Sequence, residues 1–263
     1  MTRNNYLFAA LCLLAGGLAS CSSNIDDELP ANDTWTLNVM ATKSDTPATR
    51  ALSEDGTATW ASGEKVDVMY NSETRGTLTP QAYGDKLTTL SGTITGTDYY
   101  VNVDESSTLT LWFPKYAGAT ISYLGQYGTL ADIAARFDYA HANVSVTSVD
   151  ASNHVLTTTN ATFVNAQAIV KFTLYDKANN SLLSVNRIQV SDGSSEIANT
   201  KALDSPISEG VVWLAIPPVS SKYITLTVTS GGNSYTYTTP SATSFVAGHF
   251  YPINVKMTLV PAS

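Results

Sequence analysis

The side chains able to do chemistry in this chain are few and scattered. His141, His154 and His249 are its only imidazoles, far apart in sequence, and none stands at metal-ligand spacing. No Gly-x-Ser-x-Gly elbow, His-Glu-x-x-His pair or phosphate-cradling glycine loop occurs. Asp138 and His141 could be drawn as an acid–base couple, but at the end of a short helix a surface hydrogen bond is the plainer role. His249 follows Gly248 at a turn, a place for capping or packing. Asp192-Gly193-Ser194-Ser195-Glu196 lacks the alternating oxygen ligands of a calcium loop. The sequence therefore predicts no catalytic residue, no bound metal, no cofactor and no enzyme. Binding chemistry is better represented. Tyr99, Tyr100, Trp112, Tyr116, Tyr123 and Tyr127 crowd one third of the chain, and aromatic faces stack on sugar rings. Trp112, Tyr116 and Tyr123 are the candidate ligand aromatics, set against the commoner fate of such rings, which is core or strand face.

Cys21 carries a different chemistry. Arg3 gives a positive start, Tyr6 to Leu14 is an apolar run too short to span a bilayer, and Leu18-Ala19-Ser20-Cys21 ends it. This is the layout of a secretory signal peptide. The Leu-Ala-Ser-Cys pattern resembles the lipobox of bacterial lipoproteins, which implies cleavage before Cys21 and lipid on its thiol. The plain alternative is a cleaved signal followed by a stray cysteine. Each buried methylene adds about 0.8 kcal/mol of membrane affinity, so several acyl chains anchor a protein without a transmembrane helix. The expected location is a membrane face outside the cytoplasm.

Composition limits the rest. The chain has two cysteines, Cys12 and Cys21. One would leave with the leader and the other carry lipid, so a hydrophobic core must supply stability. Roughly 230 residues suffice for one large or two small domains. The net charge is -8, and loss of a leader containing Arg3 and no acid makes it more negative. Such a chain presents no basic footprint for nucleic acid. Charged residues are only 14%, with Thr, Ser, Tyr and Val abundant, a composition suited to strands with one wet face.

The elements that must position these residues read mostly as strands. Residues 21–32 are polar, with Asp26-Asp27-Glu28 near the cysteine, and form a solvated tether. Trp35, Leu37, Val39 and Ala41 alternate with polar neighbours, the mark of a strand with one buried face. Thr42 to Glu54, with Pro47 and the isolated Arg50, reads as an exposed loop open to proteolysis, and Arg75 lies in a second polar loop. Further strands are expected over Lys65 to Tyr70, Thr88 to Ile94, Tyr99 to Val103, Thr108 to Phe113, Ala142 to Val149 and Val155 to Thr159. Phe163 to Leu174 is a mostly apolar run, and Val211 to Ile216 is stopped by Pro217-Pro218. Tyr223 to Thr229 and Ser234 to Thr238 flank Gly231-Gly232, a hairpin signal. Ile253, Val255, Met257 and Leu259 alternate to the end. One helix interrupts them: Leu130, Ile133, Ala134 and Phe137 share a face, with Thr129 and Asp132 as a capping pair. Short strands at this spacing predict an all-β fold of tandem sandwich domains with one short helix in the N-terminal half. The expected division is leader 1–20, tether 21–32, first sandwich 33–160 and second sandwich 161–263, a single elongated sandwich being the alternative.

Several segments resemble the fimbrillin family, the type V pilins and their accessory subunits. They are Ala48-Thr49-Arg50-Ala51, Trp60-Ala61-Ser62-Gly63-Glu64-Lys65-Val66-Asp67-Val68, Trp112-Phe113-Pro114-Lys115-Tyr116, and Leu130-Ala131-Asp132-Ile133 leading to Phe137-Asp138-Tyr139-Ala140. Phe163-Val164-Asn165-Ala166-Gln167-Ala168-Ile169-Val170-Lys171-Phe172 and Phe245-Val246-Ala247-Gly248-His249-Phe250-Tyr251 complete the series in the family's order. The resemblance implies transthyretin-like Greek-key sandwiches and export to the outer membrane and cell surface through the lipid on Cys21 and the acidic cluster. It also implies a cut between Arg50 and Ala51 by an Arg-specific protease, which frees residues 33–50 and their strand, Trp35, Leu37, Val39 and Ala41. A strand from another fimbrial subunit then fills the vacated groove. Stalk relatives carry an extra C-terminal donor strand, whereas Ser263 follows the Gly248-His249-Phe250-Tyr251 motif closely, so the resemblance favours an accessory or tip subunit binding a host or bacterial surface receptor, the alternative being that Tyr251 to Val260 swings out as the donor. The alternative function is a glycan- or ligand-binding outer-membrane surface lipoprotein.

Overall fold

The computed structural model describes residues 33–43, 59–96, 103–114 and 121–261. Cys21, Arg50, Ala51, Tyr99, Tyr100, Tyr116 and the tether 21–32 lie outside the described residues. Within them the fold is all-β with one short helix.

Alternation of small or aliphatic residues with threonine builds the first sheet from β1 (Asp33–Lys43), β2 (Val66–Tyr70), β3 (Glu73–Pro80), β4 (Leu87–Gly96), β5 (Thr108–Phe113), β6 (Ala140–Asp150), β7 (Val155–Thr158) and β8 (Ala161–Asn165). Their order is β4-β3-β2-β5-β6-β7-β1-β8, and β1 pairs with β4 as well, so the sheet closes on itself. Closure leaves no free edge along β1 or β4. Leu37, Val39, Leu78, Leu90, Ile94, Leu109, Leu111 and Phe113 fill the interior with Trp60 and Phe163. Strand β3 corrects the loop expected around Arg75. That residue is buried in the strand, ion-paired to Glu73 at 2.8 Å. β3 has little apolar patterning of its own and is held by ladders to β2 and β4 on either side.

The apolar run from Phe163 to Leu174 is two strands broken at Ala166-Gln167, where the chain passes to the second sheet. That sheet consists of β9 (Ala168–Asp176), β10 (Val185–Ser191), β11 (Glu196–Asn199), β12 (Val211–Ile216), β14 (Thr225–Ser230), β15 (Asn233–Thr238) and β17 (Phe250–Val260). Its order is β11-β10-β14-β15-β17-β9-β12, and β13 (Val219–Lys222) pairs separately with β16 (Thr243–Phe245). Gly231 and Gly232 turn the β14–β15 hairpin at φ +55° and +81°, as a turn needing positive φ at both centres demands.

The stretch 121–139 lies in sequence between β5 and β6 yet packs on the second core. Thr129 caps α1 (Leu130–Arg136) by accepting from the Asp132 amide, and Tyr123, Ile133 and Phe137 are buried against β-strands of the second sheet. Gln126 joins the two edges of that sheet. Its backbone amide donates to Asn199 O at 3.0 Å, while its side chain donates to Ala215 O at 2.8 Å and accepts from Ala215 N at 2.9 Å.

Candidate functional site

Strand β1 is the most unusual element. It pairs antiparallel with β4 from Asp33↔Gly96 to Thr42↔Leu87, and parallel with β7 at Thr36↔Val155 and β8 at Ala41↔Ala161. Leu37, Val39 and Ala41 are at most 1% exposed and point into the barrel, while Asn38 and Met40 face out. Trp35 is half-buried at the strand's start, stacked on His154 with ring centres 5.1 Å apart. β1 is thus both a stave of the wall and a row of core side chains. Among the described residues it is also the only part N-terminal to Arg50.

The alternation runs one step past Ala41 and places Lys43 inside, where a loop was expected. An ammonium in an apolar barrel needs a counter-charge and acceptors. Both are supplied. Lys43 Nζ donates to the Glu64 carboxylate at 2.9 Å (Oε1) and 2.8 Å (Oε2), and to Thr59 O at 2.8 Å. It lies 4.4 Å from the Trp60 ring centre and 4.7 Å from that of Phe113. Lys43 is 1% and Glu64 2% exposed. The turn Trp60-Ala61-Ser62-Gly63-Glu64 makes this possible: Gly63 takes φ +82°, and Trp60 Nε1 donates to Lys86 O at 2.8 Å. Trp60 meets Phe113 and Phe163 edge-on, with ring centres 5.8 and 5.6 Å away. Parity with Leu37, Val39 and Ala41 is the sequence signal that would have placed Lys43 inside.

The two candidate ligand aromatics among the described residues, Trp112 and Tyr123, do not gather. Trp112 lies half-buried on the outer face of β5, beside His141 with ring centres 5.0 Å apart. It borders a hollow of about 300 Å³ lined by Met69, Asn71, Ser72, Thr108 and Thr110. Tyr123 instead is buried in the second core, its phenol held well above the usual range by burial and then by neighbouring Tyr139. Its ring is taken up by packing, so it offers no face to a sugar. Asp138 and His141 are no surface couple: Asp138 is buried and accepts from Gln167 Nε2 at 3.2 Å, and His141 faces Trp112.

No protein-family model matches the chain, and no curated protein matches it. Solved structures are similar to it. A Bacteroides uniformis protein assigned to cell adhesion shares 11% identity at a TM-score of 0.47, over 86% of this chain and 96% of that one. A fimbrial assembly protein from Parabacteroides distasonis shares 15% at 0.42, over 84% and 90%. A fimbrial protein from Bacteroides ovatus shares 11% at 0.39, over 87% of this chain and 50% of that one. These are likenesses of architecture.

Proposed function

We propose that this chain is a non-enzymatic fimbrial subunit that travels to the outer surface as a lipoprotein through Cys21, is cut between Arg50 and Ala51, and exchanges β1 for a strand of a neighbouring subunit. The observation that carries this reading is the position of β1, which closes a barrel through backbone ladders on both sides and fills it with Leu37, Val39 and Ala41. A groove left by such a strand offers rows of backbone donors and acceptors flanking apolar pockets at alternate positions, the requirements for strand addition. Strand β17 supports an accepting role. It runs between β15 and β9 in the middle of its own sheet and buries Val255 and Met257, so lending it out would open the second core. The subunit accordingly accepts without lending β17, as an accessory or tip position requires, and its further partner is a surface receptor.

Treatment with an Arg-specific protease, followed by N-terminal sequencing, tests the reading. A single new terminus at Ala51 and uptake of a strand peptide are expected. Scattered cuts, or a nicked chain that retains β1 against excess peptide, would remove the exchange mechanism. The hollow beside Trp112 favours one alternative, a glycan-binding surface lipoprotein. Loss of glycan-array signal on Trp112→Ala in an otherwise stable protein would raise it.

A further inference from the structure

A carboxylate deep in a barrel is a costly wall for a groove that takes an aliphatic strand. In the closed barrel Glu64 holds the Lys43 ammonium through both oxygens, with Thr59 O and the Trp60 and Phe113 rings around it. Among the described residues, every member of that cage except Lys43 belongs to the chain after Arg50. Departure of β1 would take away the cation and leave its cage. A replacement strand carrying only apolar side chains would bury the Glu64 charge without the Lys43 ammonium, a heavy penalty in a low-dielectric interior. An ammonium or guanidinium would regain the carboxylate and both ring faces.

We propose that the acceptor groove selects its occupant by this charge: a strand of a different subunit that sets Lys or Arg at the position of Lys43, with small or aliphatic residues at those of Leu37, Val39 and Ala41. The inference rests on the exchange reading above and names the partner that reading requires. The spacing is one base and three apolar residues on a single strand face, at every second position. The chain's own last strand does not offer it. Tyr251, Ile253, Val255, Met257 and Leu259 form one face without a base, and Lys256 stands between Asn254 and Thr258 on the other. β17 of a second copy therefore lacks the pattern this groove selects, and the occupant we infer is a strand of a different subunit that carries it.

The test uses the protein nicked after Arg50, incubated with excess fluorescent peptide of residues 33–43, or with peptides bearing Lys43→Arg, Lys43→Met or Lys43→Glu. Incorporation is read by native electrophoresis and intact mass. The Lys and Arg peptides are expected to enter, the Lys43→Met peptide about a hundredfold more weakly, and the Lys43→Glu peptide not at all. Nicked Glu64→Gln protein should lose the preference. If that variant does not fold, the peptide series on wild-type protein decides alone. Equal entry of the Lys and Met peptides overturns charge selection and leaves strand exchange standing. Entry of none, with the cut confirmed by sequencing, sinks exchange and selection together. A β17 peptide entering as well as the Lys peptide overturns the heterologous partner.

Discussion

At the scale of single residues, the Lys43–Glu64 pair sets the energetics of the first barrel. Both groups are almost fully buried, so solvent screening does little to weaken their attraction. Removing one member leaves a buried charge behind, which typically costs about 3–5 kcal/mol, whereas replacing both with apolar side chains is often neutral or better. Lys43→Met should therefore lower stability in urea by about that amount, and adding Glu64→Leu should restore most of it. A loss below about 1 kcal/mol for the single variant would show that the pair is screened as a surface pair is. The two buried cations also mark where sequence reading stops. Lys43 and Arg75 sit in polar stretches, and polarity is the ordinary sign of a loop. Strand parity and the remote Glu64 put Lys43 inside, whereas Arg75 is the bulged residue of β3, out of step with Gly76, Leu78 and Pro80, and is ion-paired to an exposed Glu73. The helix cap was legible because Thr129 and Asp132 are local to each other, whereas Glu64 is remote from Lys43.

At the scale of elements, strands with an alternating or wholly apolar sequence were legible, and those defined by their neighbours were not. Thr108 to Phe113 and Val211 to Ile216 fall where the pattern placed them, while β3 owes its state to β2 and β4. The break between β8 and β9 was hidden because Asn165-Ala166-Gln167 carries no glycine or proline and lies between apolar residues on both sides. Glycine explains how closely β3 and β4 approach. A Cβ on Gly92 would run into the carbonyl of Thr77, and one on Gly76 into that of Thr93. Gly92 also faces Leu37 of β1 across the ladder. Gly92→Ala must push a backbone aside in a packed wall, and a loss of about 1–3 kcal/mol in thermal unfolding is expected. An unchanged midpoint would mean that the β3–β4 ladder yields freely.

At the scale of the whole molecule, the two cores interlock. Hydrogen bonding passes from one sheet to the other between Asn165 and Ala168, but residues 121–139, earlier in sequence, supply Tyr123, Ile133 and Phe137 to the second core. Such a long-range insertion leaves no trace in local periodicity. A fragment of residues 161–263 would lack all three side chains and the Gln126 clamp. Each large buried apolar side chain is worth about 3–5 kcal/mol, and a domain has about 5–15 kcal/mol in all. The fragment is expected to give collapsed, poorly dispersed proton NMR spectra, and dispersed spectra would show that the insertion is dispensable.

The register of β1 has a consequence in time. Ala41 is paired with Ala161, a residue roughly 120 positions later, and contacts of that span carry the largest closure entropy and form slowly. Synthesis runs from the N-terminus, so β1 exists long before β7 and β8 do. It can meet β4 early, but its second edge stays bare until the rest of the barrel has been made. During synthesis, the seam between β1 and β7 with β8 can close only once nearly all of the first barrel's sequence has been made.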